Sequence, residues 1–456
     1  MQNLKIVILG NGIAGATAAR FLRKRSDADI VMISDESRLP FSRTALMYVY
    51  MGHLREEATY LYEADFWDKN RVRRVFGRVV RIDTAAQQLA LADGQTIGYD
   101  RLILATGSLP NTYGWPGQQL DGVQGLYHLQ DLRAMERASA RLTGGRRAVV
   151  VGGGLIGIEM AEMLHSRRIP VSFLVREARF APGLLPPEES EMIAREIREH
   201  GIDLRLGTEL DTILDDGEGC VGGVTTRQGE RLDCAFVGLA TGVRPNVDVV
   251  RSSGIECDQG ILVDEYLATS APGIYAVGDC AQLRRPAPGR RPTEAVWYTA
   301  RMMGQTVAAT ICGEKTAYQP RLWFNSAKFF NIEYQVYGHV GGNPSERAAS
   351  LYWQHPGGKK SIRIQYDAHS RAVSGFLLLG IRYRHEVCER WIMEQASLTD
   401  VLPSLALANF DPEFYPQYEP QLLAEYRRQT GIVLRPETRR SADWVRYFRT
   451  AKKSGT

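Results

Sequence analysis

The sequence has few cysteines, and none of them are paired at the spacing that redox and metal sites use. Six cysteines are scattered through 456 residues without a CxxC motif. Their scarcity and spacing exclude a dithiol redox motif, a cysteine-based zinc site and a disulfide scaffold, and they indicate a reducing compartment. We therefore expect no metal site and a cytoplasmic location.

Long apolar runs and a strong charge imbalance are also missing. No apolar run is long enough to cross a bilayer, and the formal net charge is only +4. The small charge predicts no nucleic-acid partner. The strand-like residues LKIVILG begin within four residues of Met1, which predicts that no signal peptide is present.

Basic charge is nevertheless concentrated in two places. Residues 421–456 hold nine Lys or Arg against three Asp or Glu, a net charge of +6 that leaves −2 for the rest of the chain. The segment RRPAPGRRP, residues 284–292, contains four arginines and three prolines. Solvated surface charge is the ordinary explanation of both clusters. The alternative is that each cluster binds an acidic partner or surface.

The segment KIVILGNGIAGATAARFLRKR predicts a strand, a glycine-rich turn and a helix. A second strand, IVMIS, ends in the acidic pair Asp35-Glu36, about 20 residues beyond the turn. In such a unit the backbone approaches a pyrophosphate, the helix N-terminus offers free N–H groups, and an acid accepts hydrogen bonds from a ribose. The candidate phosphate-binding residues are Gly10, Gly12, Ile13, Ala14 and Gly15.

The same pattern returns in RAVVVGGGLIGIEMAEMLHSRRIPVSFLVRE, whose second strand ends in Arg176-Glu177. Two such units predict that one chain binds two dinucleotides; the alternative is that one unit is vestigial. The candidate residues of the second turn are Gly152, Gly154, Leu155, Ile156 and Gly157.

Two further strands end in the turn ATG, which would bring the chain back across a sheet beside a cofactor. A third strand, in GIYAVGDCAQ, ends near Gly278 and Asp279, just before a predicted helix. At that position the Asp279 carboxylate can accept a hydrogen bond from a cofactor hydroxyl. The candidates in the ATG turns are Ala105, Thr106 and Gly107 in the first and Ala240, Thr241 and Gly242 in the second.

With these motifs the chain resembles the FAD-dependent pyridine-nucleotide oxidoreductases, which include ferredoxin and rubredoxin reductases and nitrite reductase flavin subunits. The motifs GNGIAG, ATG, GGGLIGIE, ATGVRPN and GIYAVGDCA occur in the family's order. The resemblance implies bound FAD and NAD(P)H. It also implies an α/β fold with two Rossmann-like dinucleotide-binding domains and a C-terminal α+β interface domain.

The resemblance also implies the domain limits. The FAD-binding domain is expected to be discontinuous, with the NAD(P)-binding domain inserted into it. The expected ranges are 1–112 and 242–318 for FAD, 113–241 for NAD(P), 319–420 for the interface domain and 421–456 for a basic tail.

Residues 39–52, LPFSRTALMYVYMG, contain no cysteine, although thiol-dependent members of the family keep a reactive cysteine in this region. Pro40-Phe41-Ser42-Arg43 resembles the ferredoxin- and rubredoxin-reductase branch, which implies that Arg43 reaches the FAD pyrophosphate. An Arg43 that caps local carbonyls is the alternative. Farther along, EAVWYTARMMGQ predicts a helix whose first turn, 294–297, places Trp297 beside the flavin. We expect no thiol relay.

The resemblance assigns Glu159 to the nicotinamide, where its carboxylate orients the carboxamide. Arg176 stands where NADH enzymes usually have an acid, and an arginine there can pair with a 2′-phosphate, with Arg179 in reach. This favours NADPH, although Glu177 could still bind the ribose of NADH.

The expected function is therefore an FAD-dependent NAD(P)H oxidoreductase with no catalytic side chain of its own. It would pass electrons to an acidic carrier protein or an iron–sulfur partner subunit. One rival is a membrane-surface quinone reductase, because SADWVRYFRTAKK in the tail has the pattern of a basic amphipathic helix. Another rival is a non-catalytic NAD(P)H-sensing interaction protein. A homodimer through the C-terminal domain is left open.

Overall fold

The computed structural model describes residues 4–342, 346–411, 414 and 416–436. They divide into two compact units, residues 1–178 with 198–321 and residues 179–197 with the chain from 322 onward. The predicted amphipathic helix of the tail lies outside the described residues. None of the helices in these ranges combines the length and apolarity that a membrane crossing requires.

The elements are numbered in chain order. The helices are α1 (Ile13–Arg25), α2 (Leu46–Tyr50), α3 (Phe66–Lys69), α4 (Leu129–Ala140), α5 (Leu155–Ser166), α6 (Pro187–Glu199), α7 (Trp297–Ile311), α8 (His385–Met393), α9 (Leu398–Ser404) and α10 (Glu419–Thr430). The strands are β1 (Lys5–Leu9), β2 (Asp29–Ser34), β3 (Val72–Phe76), β4 (Val79–Asp83), β5 (Gln88–Leu91), β6 (Thr96–Gly98), β7 (Arg101–Leu104), β8 (Ser108–Pro110), β9 (Val123–Gln124), β10 (Ala148–Val151), β11 (Val171–Val175), β12 (Asp203–Leu206), β13 (Leu210–Asp215), β14 (Val221–Thr226), β15 (Arg231–Asp233), β16 (Phe236–Leu239), β17 (Val243–Pro245), β18 (Ile261–Val263), β19 (Ile274–Ala276), β20 (Ala281–Leu283), β21 (Phe324–Phe329), β22 (Ile332–Gly338), β23 (Ala348–Gln354), β24 (Ser361–Asp367) and β25 (Val373–Leu379).

Two five-stranded parallel sheets of matching topology organise the first unit. The strand orders are β19-β7-β1-β2-β3 and β12-β11-β10-β16-β9, so β1 and β10 hold the same central place. The central strands are apolar and buried on both faces, as parallel sheets covered by helices require. We call the part built on the first sheet, with α1, α2, α3 and α7, the first half. The part built on the second sheet, with α4 and α5, is the second half.

The two chain crossings between the halves lie side by side. Each crossing follows an ATG turn, and the strands after them, β8 and β17, pair as an antiparallel ribbon with Leu109 opposite Arg244. Two small antiparallel sheets, β4-β5-β6 and β13-β14-β15, complete the halves. The carboxyl ends of the parallel strands are the edges where ligands bind in folds of this topology.

The second unit has its own antiparallel sheet, β21-β22-β25-β24-β23, and its own core with helices α8, α9 and α10. The predicted strand pair SIRIQYD and AVSGFLLLG and the helix in HEVCERWIMEQ are confirmed as β24, β25 and α8. Arg363 on β24 is buried and donates hydrogen bonds to Glu188 and Glu189 of α6 at 2.7 and 2.8 Å. These charge-assisted bonds hold α6 to the sheet of this unit.

Three local expectations were wrong. The residues after Asp279 form the strand β20 and not a helix, because Ala281–Leu283 pairs in parallel with β18. The helix expected from residue 294 begins at Trp297, and Glu294 lies before it in an ion pair with Arg290. Residues 421–430, expected to begin a tail, form most of α10, whose Leu422 and Tyr426 are buried in the core of the second unit.

Candidate cofactor site

Both glycine turns bring a helix N-terminus onto the carboxyl edge of a sheet. In the first, Gly10 N–H donates to the Ile33 carbonyl at 2.8 Å, and in the second, Gly152 N–H donates to Leu174 at 2.9 Å. Gly10 and Gly152 have φ angles of 111° and 113°, which side-chain-bearing residues rarely adopt. The chain therefore reverses at the same point of each sheet.

The glycines of each turn differ in what surrounds them. A Cβ at Gly15 would lie 2.0 Å from the Gly10 carbonyl oxygen, and one at Gly157 would lie 1.9 Å from the Gly152 oxygen. By contrast, a Cβ at Gly12 or at Gly154 would meet no heavy atom within 4 Å. The third glycine of each turn therefore allows the helix to pack closely on the strand, whereas the middle glycine leaves open space beside the backbone. Both turns fit a dinucleotide pyrophosphate on this count.

The helix N-termini at these turns are suited to an anion. Neither α1 nor α5 has a side-chain cap on its first N–H groups, and neither has an acid in its first turn. The free N–H groups and the positive end of the helix dipole are directed to the open space beside Gly12 and Gly154. Ile13, Ala14, Leu155 and Ile156 provide the first residues of these helices.

The ATG turns lie against the glycine turns. A Cβ at Gly10 would lie 2.0 Å from the Ala105 carbonyl oxygen, and one at Gly152 would lie 2.4 Å from that of Ala240. Gly107 and Gly242 complete these turns with positive φ angles. Thr106 Oγ1 donates to the Asn246 carbonyl at 2.6 Å, whereas Thr241 Oγ1 is buried without a hydrogen-bond partner among the described residues. Because buried hydroxyls normally form a hydrogen bond, this one indicates a position where a ligand of the second half could bind.

Asp279 lies in a short 3₁₀ turn, Gly278–Cys280, at the end of β19. Its Oδ2 accepts hydrogen bonds from Ser108 Oγ at 3.1 Å and from the Tyr127 hydroxyl at 3.3 Å. Burial raises the pKa of Asp279, against the hydrogen bond from Ser108, which lowers it. A Cβ at Gly278 would lie 3.0 Å from Ala14 Cβ, so Asp279 and the N-terminus of α1 share one edge.

The acidic pair after β2 is divided between two environments. Asp35 is exposed, whereas Glu36 accepts two hydrogen bonds from Arg43 at 2.8 and 2.7 Å and lies 3.5 Å from His128 Nδ1. Burial alone would raise the pKa of Glu36, but hydrogen bonds from His128 and Arg43 lower it to about 2. Arg43 also donates to the Tyr127 carbonyl. Asp35 is thus the acid left available to a ribose, and the reach of Arg43 to a pyrophosphate stays a prediction.

On α5, Glu159 lies one turn beyond Gly154 with Glu162 close to it. Burial raises the pKa of Glu159 to about 7, and repulsion from Glu162 adds to the shift.

After β11, Arg176 pairs with Glu177 at 3.0 Å on the surface. Trp297 begins α7 and contacts Tyr298 at 5.2 Å between ring centroids. Trp297 therefore lies at the start of a helix, and its contact with the flavin stays a prediction.

Sequence reasoning missed Ser108, Tyr127 and His128, which join the edge of the first sheet. Ser108 N–H donates to the Tyr127 hydroxyl at 2.9 Å, and the Tyr127 ring lies 4.3 Å from the Arg43 guanidinium carbon. Tyr127 and His128 precede α4 in a segment, DGVQGLYHL, that carries no motif. For Tyr127 and His128, the sequence signal is limited to two polar aromatic residues that directly precede a helix.

Comparison with known proteins decides what this arrangement is. Residues 4–304 match the family model described as pyridine nucleotide-disulphide oxidoreductase. The chain belongs to this family. It is an FAD-dependent NAD(P)H oxidoreductase of the branch without a thiol relay, as its sequence predicted, and the non-catalytic alternative is set aside.

Curated relatives and solved structures are similar to this chain over most of their own length. Rhodocoxin reductase of Rhodococcus erythropolis is 33% identical over 331 residues, 72% of this chain and 76% of that protein. The ferredoxin reductase component of a Cupriavidus chlorobenzene dioxygenase is 32% identical over 74% of this chain and 81% of that protein. The crystal structure of a Rhodopseudomonas palustris ferredoxin reductase for the CYP199A2 system superposes with a TM-score of 0.75, at 25% identity over 82% of this chain and 91% of that one.

The raised pKa of Glu159 makes a prediction about stability. With a pKa of about 7 in the folded protein against an ordinary 4.5, the native state binds more protons than the unfolded state between these values. Stability should therefore fall as the pH rises through this window, and Glu159→Gln should lack that component. Thermal midpoints at about pH 5 and about pH 8 test this. The midpoint of the variant, relative to that of the wild type, should be higher at about pH 8 than at about pH 5. Parallel midpoints at both values would contradict it.

Proposed function

We propose that the chain takes electrons from NADPH and passes them through FAD directly to a small acidic redox protein. When bound, FAD accepts a hydride from the nucleotide and releases electrons to the acceptor. The protein binds and orients the two dinucleotides and excludes water. The pair of open glycine turns on matching sheet edges carries the proposal, and the absence of cysteine from residues 39–52 supports a direct exit of electrons.

Within the site, we assign each turn to one cofactor. FAD would lie along the first sheet, with Gly12 beside its pyrophosphate, Asp35 on its ribose and Asp279 on its ribityl chain. NADPH would lie along the second sheet, with Gly154 beside its pyrophosphate and Glu159 at its carboxamide. The roles of the glycines and of the two aspartates rest on positions at strand ends and on the open space beside the two middle glycines. The role of Glu159 rests on its place on α5, one turn beyond Gly154.

The repeated topology supports a preference for NADPH. The hydrogen bonds of Gly10 to Ile33 and of Gly152 to Leu174 fix the same register in both halves. Two residues beyond these partners stand Asp35 in the first half and Arg176 in the second. The ribose of FAD has a free 2′-hydroxyl, which an acid binds, whereas an arginine at the matching position pairs with a 2′-phosphate. Arg176 is exposed and forms a surface ion pair with Glu177, which a phosphate can displace.

Arg176→Glu should therefore shift the preference toward NADH. Loss of an arginine–phosphate contact and added repulsion should cost on the order of 2–4 kcal/mol for NADPH, with little effect on NADH. Steady-state kcat/KM for both nucleotides measures this. Arg231→Glu, an equal charge change at an exposed residue of β15, serves as the control. An unchanged NADPH/NADH ratio in the Arg176 variant would reject the assignment and move attention to Glu177.

The names of the relatives support a carrier protein as the acceptor. They include a rhodocoxin reductase, a ferredoxin reductase component and a rubredoxin-NAD(+) reductase. We infer that an acidic carrier docks on the basic loop 284–292, because opposite charge steers such encounters. A partner subunit, a homodimer and the tail's membrane contact stay predictions.

The four arginines of this loop are not equivalent. Arg290 points inward, where its guanidinium pairs with Glu294 and donates to the Arg321 carbonyl at 2.7 Å, and both side chains of the pair are at most 10% exposed. Arg284 pairs with Glu256 at 2.5 Å. Arg285 and Arg291 are exposed. The docking charge is therefore best tested at these two positions, while Arg290 supports the loop itself.

Replacing Arg285 and Arg291 with Ala should lower kcat/KM for an acidic ferredoxin or rubredoxin by ~10-fold at low salt, and the difference should shrink as ionic strength rises. Ferricyanide reduction should change much less, because a small inorganic acceptor needs no docking surface. Arg137→Ala with Arg146→Ala removes the same charge from other exposed positions and serves as the control. An equal loss in both double variants would contradict docking on the loop, because the change in net charge alone would then explain the loss.

A further inference from the structure

Helix α4 belongs to the second half in sequence, but it is tied to the first half along its length. At its N-terminus, Leu129 N–H donates to Glu36 Oε1 at 2.9 Å, and Gln130 Nε2 donates to the Glu36 carbonyl at 2.9 Å. Near its middle, Arg133 pairs with Glu56 at 3.1 Å. These contacts join α4 to the segments that follow β2 in the first half.

The C-terminal end of α4 is tied through Arg167, the residue that caps α5. Arg167 Nη2 donates to the Tyr50 carbonyl at 2.8 Å, and its guanidinium carbon lies 3.6 Å from the centroid of the Tyr50 ring. The same guanidinium donates to Ser139 Oγ at 3.3 Å and lies 3.5 Å from Glu136, both on α4. Tyr50 is only 2% exposed, so the cation lies on a ring that water does not reach.

Arg167 therefore binds three helices at one point. Tyr50 ends α2, the helix in the segment where thiol-dependent relatives keep their cysteine. Helix α5 carries Gly154 at its N-terminus and Glu159 on its second turn, the residues assigned above to the nucleotide. One guanidinium thus links the thiol-free segment of the first half to the helix that would hold NAD(P)H in the second.

The halves need such a link because the chain joins them through a narrow connection. The paired strands β8 and β17 form a two-stranded ribbon, which is weak by itself and bends readily. Hydride transfer requires reacting atoms about 3–3.5 Å apart, and a misplacement of about 1 Å can lower the rate ~100-fold. Contacts away from the ribbon must therefore fix the angle between the halves.

We propose that α4 fixes the position of the nucleotide-binding helix α5 relative to the flavin-binding half. In this proposal Arg167 is the positioning residue, because it connects the C-terminal part of α4 to α5 and to Tyr50. In this account the segment 39–52 has a structural task in place of a redox one. The proposal rests on hydride transfer from NAD(P)H to FAD, which the family performs, and on the assignment of α5 to the nucleotide. It does not depend on the identity of the final acceptor.

The test is single-turnover reduction of the FAD-loaded enzyme, with whichever nucleotide reduces the wild type faster. Arg167→Met keeps the aliphatic stem but removes the guanidinium, and it should slow hydride transfer at saturating nucleotide by ~10-fold or more. The deuterium isotope effect from the 4-deuterated nucleotide should then be expressed fully. Affinity for FAD, the visible spectrum and reoxidation by ferricyanide should stay as in the wild type, because the first half is intact.

Two further variants keep the test decisive if Arg167→Met folds poorly. Tyr50→Leu removes the ring but leaves the backbone carbonyl, and it should slow hydride transfer in the same direction. Tyr50→Phe keeps the ring and should behave like the wild type. Arg137→Met, on the exposed side of α4, is the matched control and should change nothing.

Amide hydrogen exchange gives a readout that is independent of turnover. Faster exchange in α2 and α4 should accompany the slow hydride transfer of Arg167→Met and Tyr50→Leu. The proposal is overturned if Arg167→Met lowers the thermal midpoint while its hydride-transfer rate stays within about twofold of Arg137→Met, because the contact would then only stabilise packing. A wild type that fails to reduce any carrier protein would count against the proposed function and leave this comparison intact.

Discussion

The contact on which the site depends is the close approach of a helix to a strand at the third glycine of each turn. Gly15 lies against the Gly10 carbonyl and Gly157 against the Gly152 carbonyl, and a methyl group at either position would lie about 2 Å from an oxygen atom. This packing aims the N-termini of α1 and α5 at the sheet edges. Any larger residue would push the helix away and move its free N–H groups from the open space where we propose that a pyrophosphate binds.

The same edge of the first sheet shows how a flavoenzyme can work without a thiol. Residues 39–52 contain no cysteine, and their short helix α2 is packed by Tyr50 against Arg167. Cys280, beside Asp279, is buried with its thiol directed at the carbonyls of Leu104 and Val277, and burial raises its pKa. A buried thiol with a raised pKa stays protonated, which does not suit the thiolate chemistry of a relay. Its environment therefore agrees with a direct exit of electrons from the flavin.

Much of this could be predicted from the sequence because the signals are local. The strand, turn and helix around Gly10 and Gly152 are encoded within some twenty residues each, and the predicted strand ends at Ser34 and Val175 are confirmed. Long-range pairings could not be predicted in this way. Nothing near Glu36 in the sequence indicates that it will bind Arg43 and the start of α4, and nothing in RRPAPGRRP distinguishes the inward Arg290 from the exposed Arg291.

Two of the three errors share one physical cause, which is that tertiary packing overrides local pattern. GDCAQ reads like the start of a helix after a strand, yet β18 offers a parallel partner and the backbone pairs with it. The charged stretch from residue 421 reads like a tail, yet Leu422, Leu423 and Tyr426 fall on one face of α10 and are buried. The apolar spacing was present in the sequence, but the high density of basic residues concealed it.

The central claim, that electrons pass from NAD(P)H to FAD and onward without a thiol relay, is tested most directly by anaerobic titration of the purified enzyme with the nucleotide that reduces it faster. We expect one electron pair to reduce each bound FAD completely, with no long-wavelength band from a thiolate beside the flavin at any point. Uptake of a second electron pair per FAD, or the appearance of such a band, would contradict the account.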